Sequence, residues 1–137
     1  MFDCVWSSGL LEHFTPKERV NMLREQVRIT KNRVISMVPN SACIAYRAGK
    51  DYQEEAGTWA YGLETPIQSL YKEFVDAGLY VNSEFTVGAK HALSFLPKDH
   101  PLYKGMRSWI TRTTNNELDD SAQGYLLVTI GTKNNVG

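Results

Sequence analysis

Short apolar runs along the chain predict four strands. Residues 2–6 have the composition of a buried strand, and residues 33–38 form a β-branched run closed by a proline and an asparagine. Residues 79–87 alternate between apolar and polar side chains, which is typical of a strand with one wet face or of a sheet edge. Residues 125–130 are apolar on both faces, so we expect this last strand in the sheet interior.

Between the first two strands, a helix is predicted from about residue 15 to about Lys31. Thr15 is a good N-cap, Pro16 suits the first helical position, and Glu18 completes a capping box. One face of this helix is apolar through Val20, Leu23 and Val27. A strand, a helix and a strand predict a right-handed βαβ unit with parallel strands, whose ligands collect beyond the carboxyl ends of the strands.

The middle of the chain repeats the same helix signals. Thr65, Pro66 and Gln68 form an N-cap, first-turn proline and capping box, and Gly78 is a C-terminal stop. The buried stripe expected for this helix is Ile67, Leu70, Phe74 and Val75.

Other segments are predicted from local pattern alone. Residues 41–50 are compatible with a short helix, and residues 57–64, rich in glycine and aromatics, predict an ordered loop. Residues 89–96 allow a helical turn or two, residues 102–114 are amphipathic, and residues 115–120 read as a loop.

Composition then narrows the class of protein. The chain has 137 residues, with 15 basic and 15 acidic side chains and no net charge, so it suits one soluble α/β domain spanning residues 1–137. Balanced charge gives no reason to bind nucleic acid or an anionic membrane surface. There is no membrane-spanning apolar run and no signal peptide, so we expect a cytoplasmic protein with Cys4 and Cys43 as reduced structural thiols.

The turn after the first strand is the first candidate site. Ser7, Ser8 and Gly9 would sit at a strand's carboxyl end, and Glu12 and His13 supply an acid and a titratable base. The alternative is a plain turn followed by a structural histidine. No metal-ligand spacing, nucleophile elbow or phosphate loop is present in the sequence, and no metal site is predicted.

The aromatic segment is the second candidate. Tyr46, Trp59 and Tyr61 could wall a small-molecule pocket, and Arg47 could pair with a carboxylate or phosphate. The alternative is that these aromatics only seal the edge of a core beneath a long loop.

The order of these motifs resembles a known family. FDCVWSSGLLEHF, RVISMVPN, GTWAYGLETP, EFTVGAKHAL and YLLVTIG, in this order, resemble the carboxyl-terminal half of a class I S-adenosylmethionine-dependent methyltransferase. The resemblance implies a partial Rossmann-like sheet, with helices on its faces. Its last strand would insert antiparallel between the two strands before it.

The resemblance also assigns roles. Ser7, Ser8 and Gly9 would contact the methionyl and sulfonium end of S-adenosylmethionine, and Glu12 and His13 would face the methyl-transfer pocket. The methyl acceptor would be a small molecule, with Asn40 at the substrate side and Tyr46, Trp59 and Tyr61 as pocket walls. Together with Arg47 from the pocket hypothesis above, these are the expected substrate-side residues.

The motifs of the first half of this family have no counterpart in this sequence. There is no glycine-rich loop and no ribose-binding acid after a second strand. We therefore expect a half enzyme that is weak or inactive alone, or else a non-catalytic binding or assembly module. The edge of residues 2–6 would pair with the absent half or form a homodimer.

Overall fold

The structure, a computed structural model, describes residues 1–113 and 122–133 and has an α/β fold. Its four-stranded mixed sheet has the order β1-β2-β4-β3, in which β1 and β2 are parallel and the other pairs are antiparallel. The strands are β1 (Phe2–Ser8), β2 (Thr30–Pro39), β3 (Leu79–Val87) and β4 (Leu126–Lys133). The predicted interior position of the last strand and edge position of residues 79–87 are confirmed.

Five α-helices and two 3₁₀ turns lie between the strands in the described residues. The helices are α1 (Pro16–Ile29), α2 (Ile44–Glu55), α3 (Tyr71–Asp76), α4 (Ala89–Ala92) and α5 (Tyr103–Arg112). The 3₁₀ turns are Leu11–His13 and Leu93–Phe95. The possible helix within residues 41–50 is confirmed and runs on to Glu55, whereas the loop predicted at residues 115–120 lies outside the described residues. No helix in the described ranges has the length and apolar character needed to cross a membrane.

The chain divides into two compact units. The first unit comprises Met1–Pro39, Glu64–Phe85 and Leu127–Gly137, and the second comprises Asn40–Leu63 and Thr86–Leu126. The core of the first unit is built from α1, α3 and the sheet, and contains Leu11, Leu23, Val34, Val38, Ile67, Leu70, Phe74, Ala77, Leu79 and Leu127. Gly131 allows close packing there, because a Cβ at that position would lie 2.7 Å from Cδ2 of Phe74.

Helix α1 begins as its sequence predicts. The hydroxyl of Thr15 accepts a hydrogen bond from the backbone N–H of Glu18 and donates one to the Glu18 carboxylate, at 3.3 and 2.9 Å. These bonds satisfy one of the N–H groups left free at a helix start. Leu23 is fully buried, and Val20 and Val27 pack against the same core, which confirms the predicted apolar face.

The predicted helix start at Thr65 is wrong. The N–H of Thr65 instead donates to the carbonyl of Glu12 at 2.7 Å, and the helix starts only at Tyr71. Glu84 accounts for the later start, since its carboxylate accepts the N–H of Leu70 at 2.9 Å. Gly78 ends the segment after α3 with a φ of +91°, as expected of a C-terminal glycine.

Two burial predictions are also wrong. Val75 is 46% exposed although it was expected on the buried stripe of this helix. Strand β1 is not buried, since Phe2 and Trp6 are both 64% exposed and Cys4 is exposed as well. The reason is position, because β1 lies at an edge of the sheet rather than inside it.

The alternation of β3 holds only in its first half. Leu79 and Val81 are buried or half-buried, but Asn82 and Ser83 are both exposed, and burial resumes at Glu84. The expected pattern therefore shifts by one residue. The shift buries Thr86 and exposes Phe85 and Val87, the reverse of the prediction.

Candidate functional site

The turn after β1 stands at the carboxyl end of the parallel strand pair. Ser7 and Ser8 align with Ser36 and Met37 of β2, and the N–H of Gly9 donates to the carbonyl of Met37 at 3.0 Å. Gly9 has a φ of +70°, a conformation that other residue types adopt only with strain. Ser8 and Gly9 are exposed, so their backbone is open to a ligand at this strand end.

Glu12 and His13 follow this turn in the sequence, and the Glu12 carboxyl lies close to Gly9. They belong to the 3₁₀ turn Leu11–His13, and a Cβ on Gly9 would lie 3.6 Å from Oε2 of Glu12. The same oxygen is 3.9 Å from Nε2 of His13, which is ion-pair distance when the imidazole is protonated. The side chain of Glu12 is 4% exposed and that of His13 is 35% exposed. The Glu12 carboxyl is therefore buried, and the neighbouring His13 imidazole is partly exposed.

Burial is the main cause of a raised pKa at the Glu12 carboxyl. A hydrogen bond from its own backbone lowers the pKa, as does the positive charge of His13, whereas Glu64 raises it and Arg19 lowers it. Because burial outweighs the favourable charges, Glu12 holds its proton to higher pH than an exposed glutamate.

Several polar atoms under the turn have no hydrogen-bond partner in the described part of the chain. They are Oγ of Ser7, Oγ of Ser36 and Oε1 of Glu12. Buried polar groups of this kind are usually paired in proteins, and exceptions occur at ligand sites. An acidic group beneath an exposed glycine backbone can contact a positively charged group of a ligand.

Arg19 belongs to this site although sequence reasoning did not single it out. It is 4% exposed, and its Nε donates to the carbonyl of Leu11 at 3.0 Å. Burial lowers the pKa of its guanidinium, while the charges of Glu73 and Glu12 act in the opposite direction. The available signal was its position four residues before buried Leu23, which places a charge on the apolar face of α1.

The aromatic candidates lie in the second unit. The ring centroids of Trp59 and Tyr61 are 5.2 Å apart, and those of Trp59 and Tyr46 are 6.3 Å apart. Tyr46 is 3% exposed and also contacts Phe95, whereas Tyr61 is 62% exposed. The structure thus brings these three predicted residues together, with Tyr46 in the core and Tyr61 at the surface.

The ring of Trp59 has the ammonium group of a lysine side chain over it. Nζ of Lys50 is 5.3 Å from the ring centroid, and Lys50 forms an ion pair with Glu54 one helical turn later. The indole N–H of Trp59 donates to the carbonyl of Gly62 at 3.0 Å, which fixes the loop around it.

Asn40 and Arg47 differ in accessibility. The amide of Asn40 donates to the carbonyls of Ala122 and Gly124 at 2.7 and 2.9 Å, and its oxygen accepts the N–H of Ala42 at 3.0 Å. Asn40 is 1% exposed, so these bonds hold backbone and leave little room for a substrate. Arg47 lies on α2 and is exposed.

The predicted site residues therefore form two groups. Ser7, Ser8, Gly9, Glu12 and His13 lie together in the first unit, and the five expected substrate-side residues lie in the second. No family model matches the sequence, and comparison with curated proteins gives no significant match.

Proposed function

We propose that this chain is the substrate-side half of an S-adenosylmethionine-dependent methyltransferase that acts on a small molecule. The observation that carries the proposal is the strand order. In the sheet, β4 lies next to the parallel pair β1 and β2 and runs antiparallel to its neighbours. It therefore separates that pair from β3. The family resemblance of the sequence implies this insertion, and the order of a sheet depends on the whole chain rather than on a single motif.

The turn after β1 supports the same proposal. Ligands of α/β sheets bind beyond the carboxyl ends of parallel strands, and Gly9 leaves exposed backbone there. In the proposed role, Ser7, Ser8 and Gly9 contact the methionyl end of S-adenosylmethionine. When bound, the cofactor supplies an electrophilic methyl group on a sulfonium.

His13 is the residue proposed to accept a proton from the methyl acceptor. Its imidazole is partly exposed, and the Glu12 carboxylate 3.9 Å away stabilises the imidazolium that forms. Arg19 donates to the Leu11 carbonyl and Thr65 to the Glu12 carbonyl, so two of the three carbonyls of the 3₁₀ turn are held by other segments. Positioning of this kind is most of what methyl transfer requires from the protein.

The alternative function is a non-catalytic assembly module built on the same fold. The observation that favours it is the exposed apolar edge of β1, with Phe2 and Trp6 each 64% exposed. In that case the turn after β1 would be structural and would bind no cofactor.

A nuclear magnetic resonance titration separates the two functions. Adding S-adenosylhomocysteine to the ¹⁵N-labelled chain should shift the amide resonances of Ser8, Gly9 and His13, while adenosine alone should not. Gly9→Ala should abolish the shifts because its φ of +70° disfavours a side chain. Gly57→Ala is the matched control, since Gly57 has a φ of +72° and lies in the second unit.

The outcomes are distinct. Shifts confined to the turn, lost in Gly9→Ala and kept in Gly57→Ala, support a cofactor role. Absence of shifts at saturating ligand, or shifts that survive Gly9→Ala, would reject that role and favour the assembly module.

A further inference from the structure

The outer edge of β1 is open and largely uncharged. In the part of the chain that the structure describes, β1 pairs with β2 alone. Edge strands are commonly protected from further pairing by charged side chains or proline. The sequence of β1 contains one charged residue, Asp3, and its Oδ1 lies 3.7 Å from Nζ of Lys31. Asp3 is therefore the one charged side chain of β1 that an incoming strand would meet, and it has a basic neighbour.

Backbone direction shows which residues present this edge. The N–H of Gly9 donates to Met37 of β2, so odd-numbered residues of β1 face β2 and even-numbered ones face away. The register shift between Phe2 and Cys4 places its extra residue on β2, where the hydroxyl of Thr30 donates to the carbonyls of both Phe2 and Asp3, so the alternation of β1 is regular from Cys4 onward. The backbone groups of Cys4 and Trp6 thus point outward.

We propose that a second copy of this chain pairs with this edge, giving a two-fold dimer through antiparallel β1 strands. In such a pair, opposed residues lie on the same sheet face, so their numbers are both even or both odd. The favoured register sets Cys4 opposite the partner's Cys4. It also sets Phe2 opposite the partner's Trp6, twice in each dimer.

Charge and chemistry favour a second copy over another kind of strand. The chain has 15 basic and 15 acidic residues, so two copies carry no net repulsion. The favoured register forms two aromatic pairs across the strands and keeps Asp3 away from direct opposition to the partner's Asp3. Two copies of the β1 edge therefore complement each other. Its one charged side chain, Asp3, already has a basic neighbour, so the edge does not select a partner of opposite charge.

Cys4 makes this register measurable. Opposed residues in a hydrogen-bonded antiparallel pair have Cα atoms about 5.5 Å apart, within the range of roughly 4.4–6.8 Å that a disulfide requires. Cys4 is exposed, whereas Cys43 is buried and burial raises the pKa of its thiol. Mild copper-catalysed oxidation should therefore link dimers through Cys4. Cys43→Ser should link equally well, and Cys4→Ser should not link at all.

Analytical ultracentrifugation supplies the second readout. We expect a dimer at micromolar concentration, and Trp6→Lys should raise its dissociation constant at least about tenfold because both aromatic pairs are lost. Tyr80→Lys is the matched control, because Tyr80 is 61% exposed on the opposite edge strand, and it should leave the dimer intact.

Three results would overturn the proposal: a monomer throughout the micromolar range, a dimer that Trp6→Lys does not weaken, or a dimer that does not link through Cys4. None of these measurements involves a cofactor, so they are independent of the proposed function. In the methyltransferase order this same edge takes a strand of the first half, and a monomer would be consistent with that occupant.

Discussion

Glu12 and His13 are neighbours in sequence but experience different surroundings. The Glu12 side chain is almost completely buried beneath the glycine turn, and the His13 side chain keeps about a third of its surface exposed. In the proposed function, the buried acid orients the imidazole and the accessible base exchanges a proton. This division leads to two predictions.

The first prediction concerns pH and stability. Because burial raises the pKa of Glu12 in the folded state, the unfolded chain loses this proton first as pH rises above 4.5. The free energy of unfolding therefore falls as pH rises from 4.5 through the folded-state pKa. Glu12→Gln removes this loss, so the variant should gain stability relative to wild type between acidic and neutral pH. Urea unfolding on both sides of the window measures the gain.

Glu55→Gln is the control for that prediction, because Glu55 is an exposed carboxyl at the end of α2. The difference between Glu12→Gln and wild type should change with pH more than the difference between Glu55→Gln and wild type. If the two differences follow the same course with pH, Glu12 is not the group responsible.

The second prediction concerns the proton acceptor. In the chain joined to a methyltransferase first half that supplies the glycine-rich loop and the ribose-binding acid, His13→Ala should lower methyl transfer by about 100-fold or more and change cofactor affinity little. Single-turnover rates and cofactor binding, measured on the same preparation, give the two quantities. Unchanged transfer with unchanged binding would show that His13 is structural.

At the scale of elements, Glu84 joins three parts of the first unit. Its carboxylate accepts hydrogen bonds from the hydroxyl of Ser69 at 2.6 Å, the N–H of Leu70 at 2.9 Å and the hydroxyl of Thr129 at 2.7 Å. It therefore connects β3 to the start of α3 and to β4.

Glu84→Ala should lower the free energy of unfolding by about 2 to 4 kcal/mol, because hydrogen bonds to a charged group contribute about 1.5 to 3 kcal/mol each and are not additive. Asn82→Ala, an exposed position on the same strand, should change it by less than about 0.5 kcal/mol. Urea unfolding of both variants tests the difference. Equal effects would mean that the Glu84 contacts contribute nothing beyond an ordinary surface position.

The two N-cap signals show what local sequence can predict about elements. Thr15 caps α1 as predicted because its partner Glu18 lies within the same turn. Thr65 has the same signature but starts no helix, since its N–H binds Glu12, 53 positions earlier, and Glu84 takes the N–H of Leu70. Contacts between distant residues decided the second case, and no local pattern encodes them.

The residues of the candidate site also fall into those that local sequence could predict and those that it could not. Gly9, Glu12 and His13 could be predicted because they are close in sequence, and the structure brings them together. Arg19 and the orphaned oxygen of Ser36 could not, because their relevance comes from packing of α1 and β2 against the turn.

At the scale of the whole molecule, the interior position of the last strand was predictable and the exposure of the first strand was not. The doubly apolar composition of residues 125–130 indicated an interior strand, and β4 lies between β2 and β3. The same reasoning failed for β1, because an apolar strand is buried only if another element covers it. The exposed edge of β1 and the division of the chain into two units both depend on which neighbours are present.

Calorimetric titration of this chain with S-adenosylhomocysteine tests the central claim most directly. That claim is that Ser7, Ser8 and Gly9 supply one side of a cofactor site whose glycine-rich loop and ribose-binding acid are absent from the sequence. We predict binding far weaker than micromolar, near the millimolar range that corresponds to about 4 kcal/mol. A micromolar or tighter dissociation constant, about 8 kcal/mol or more, would contradict the claim, because it would require a complete site within this chain.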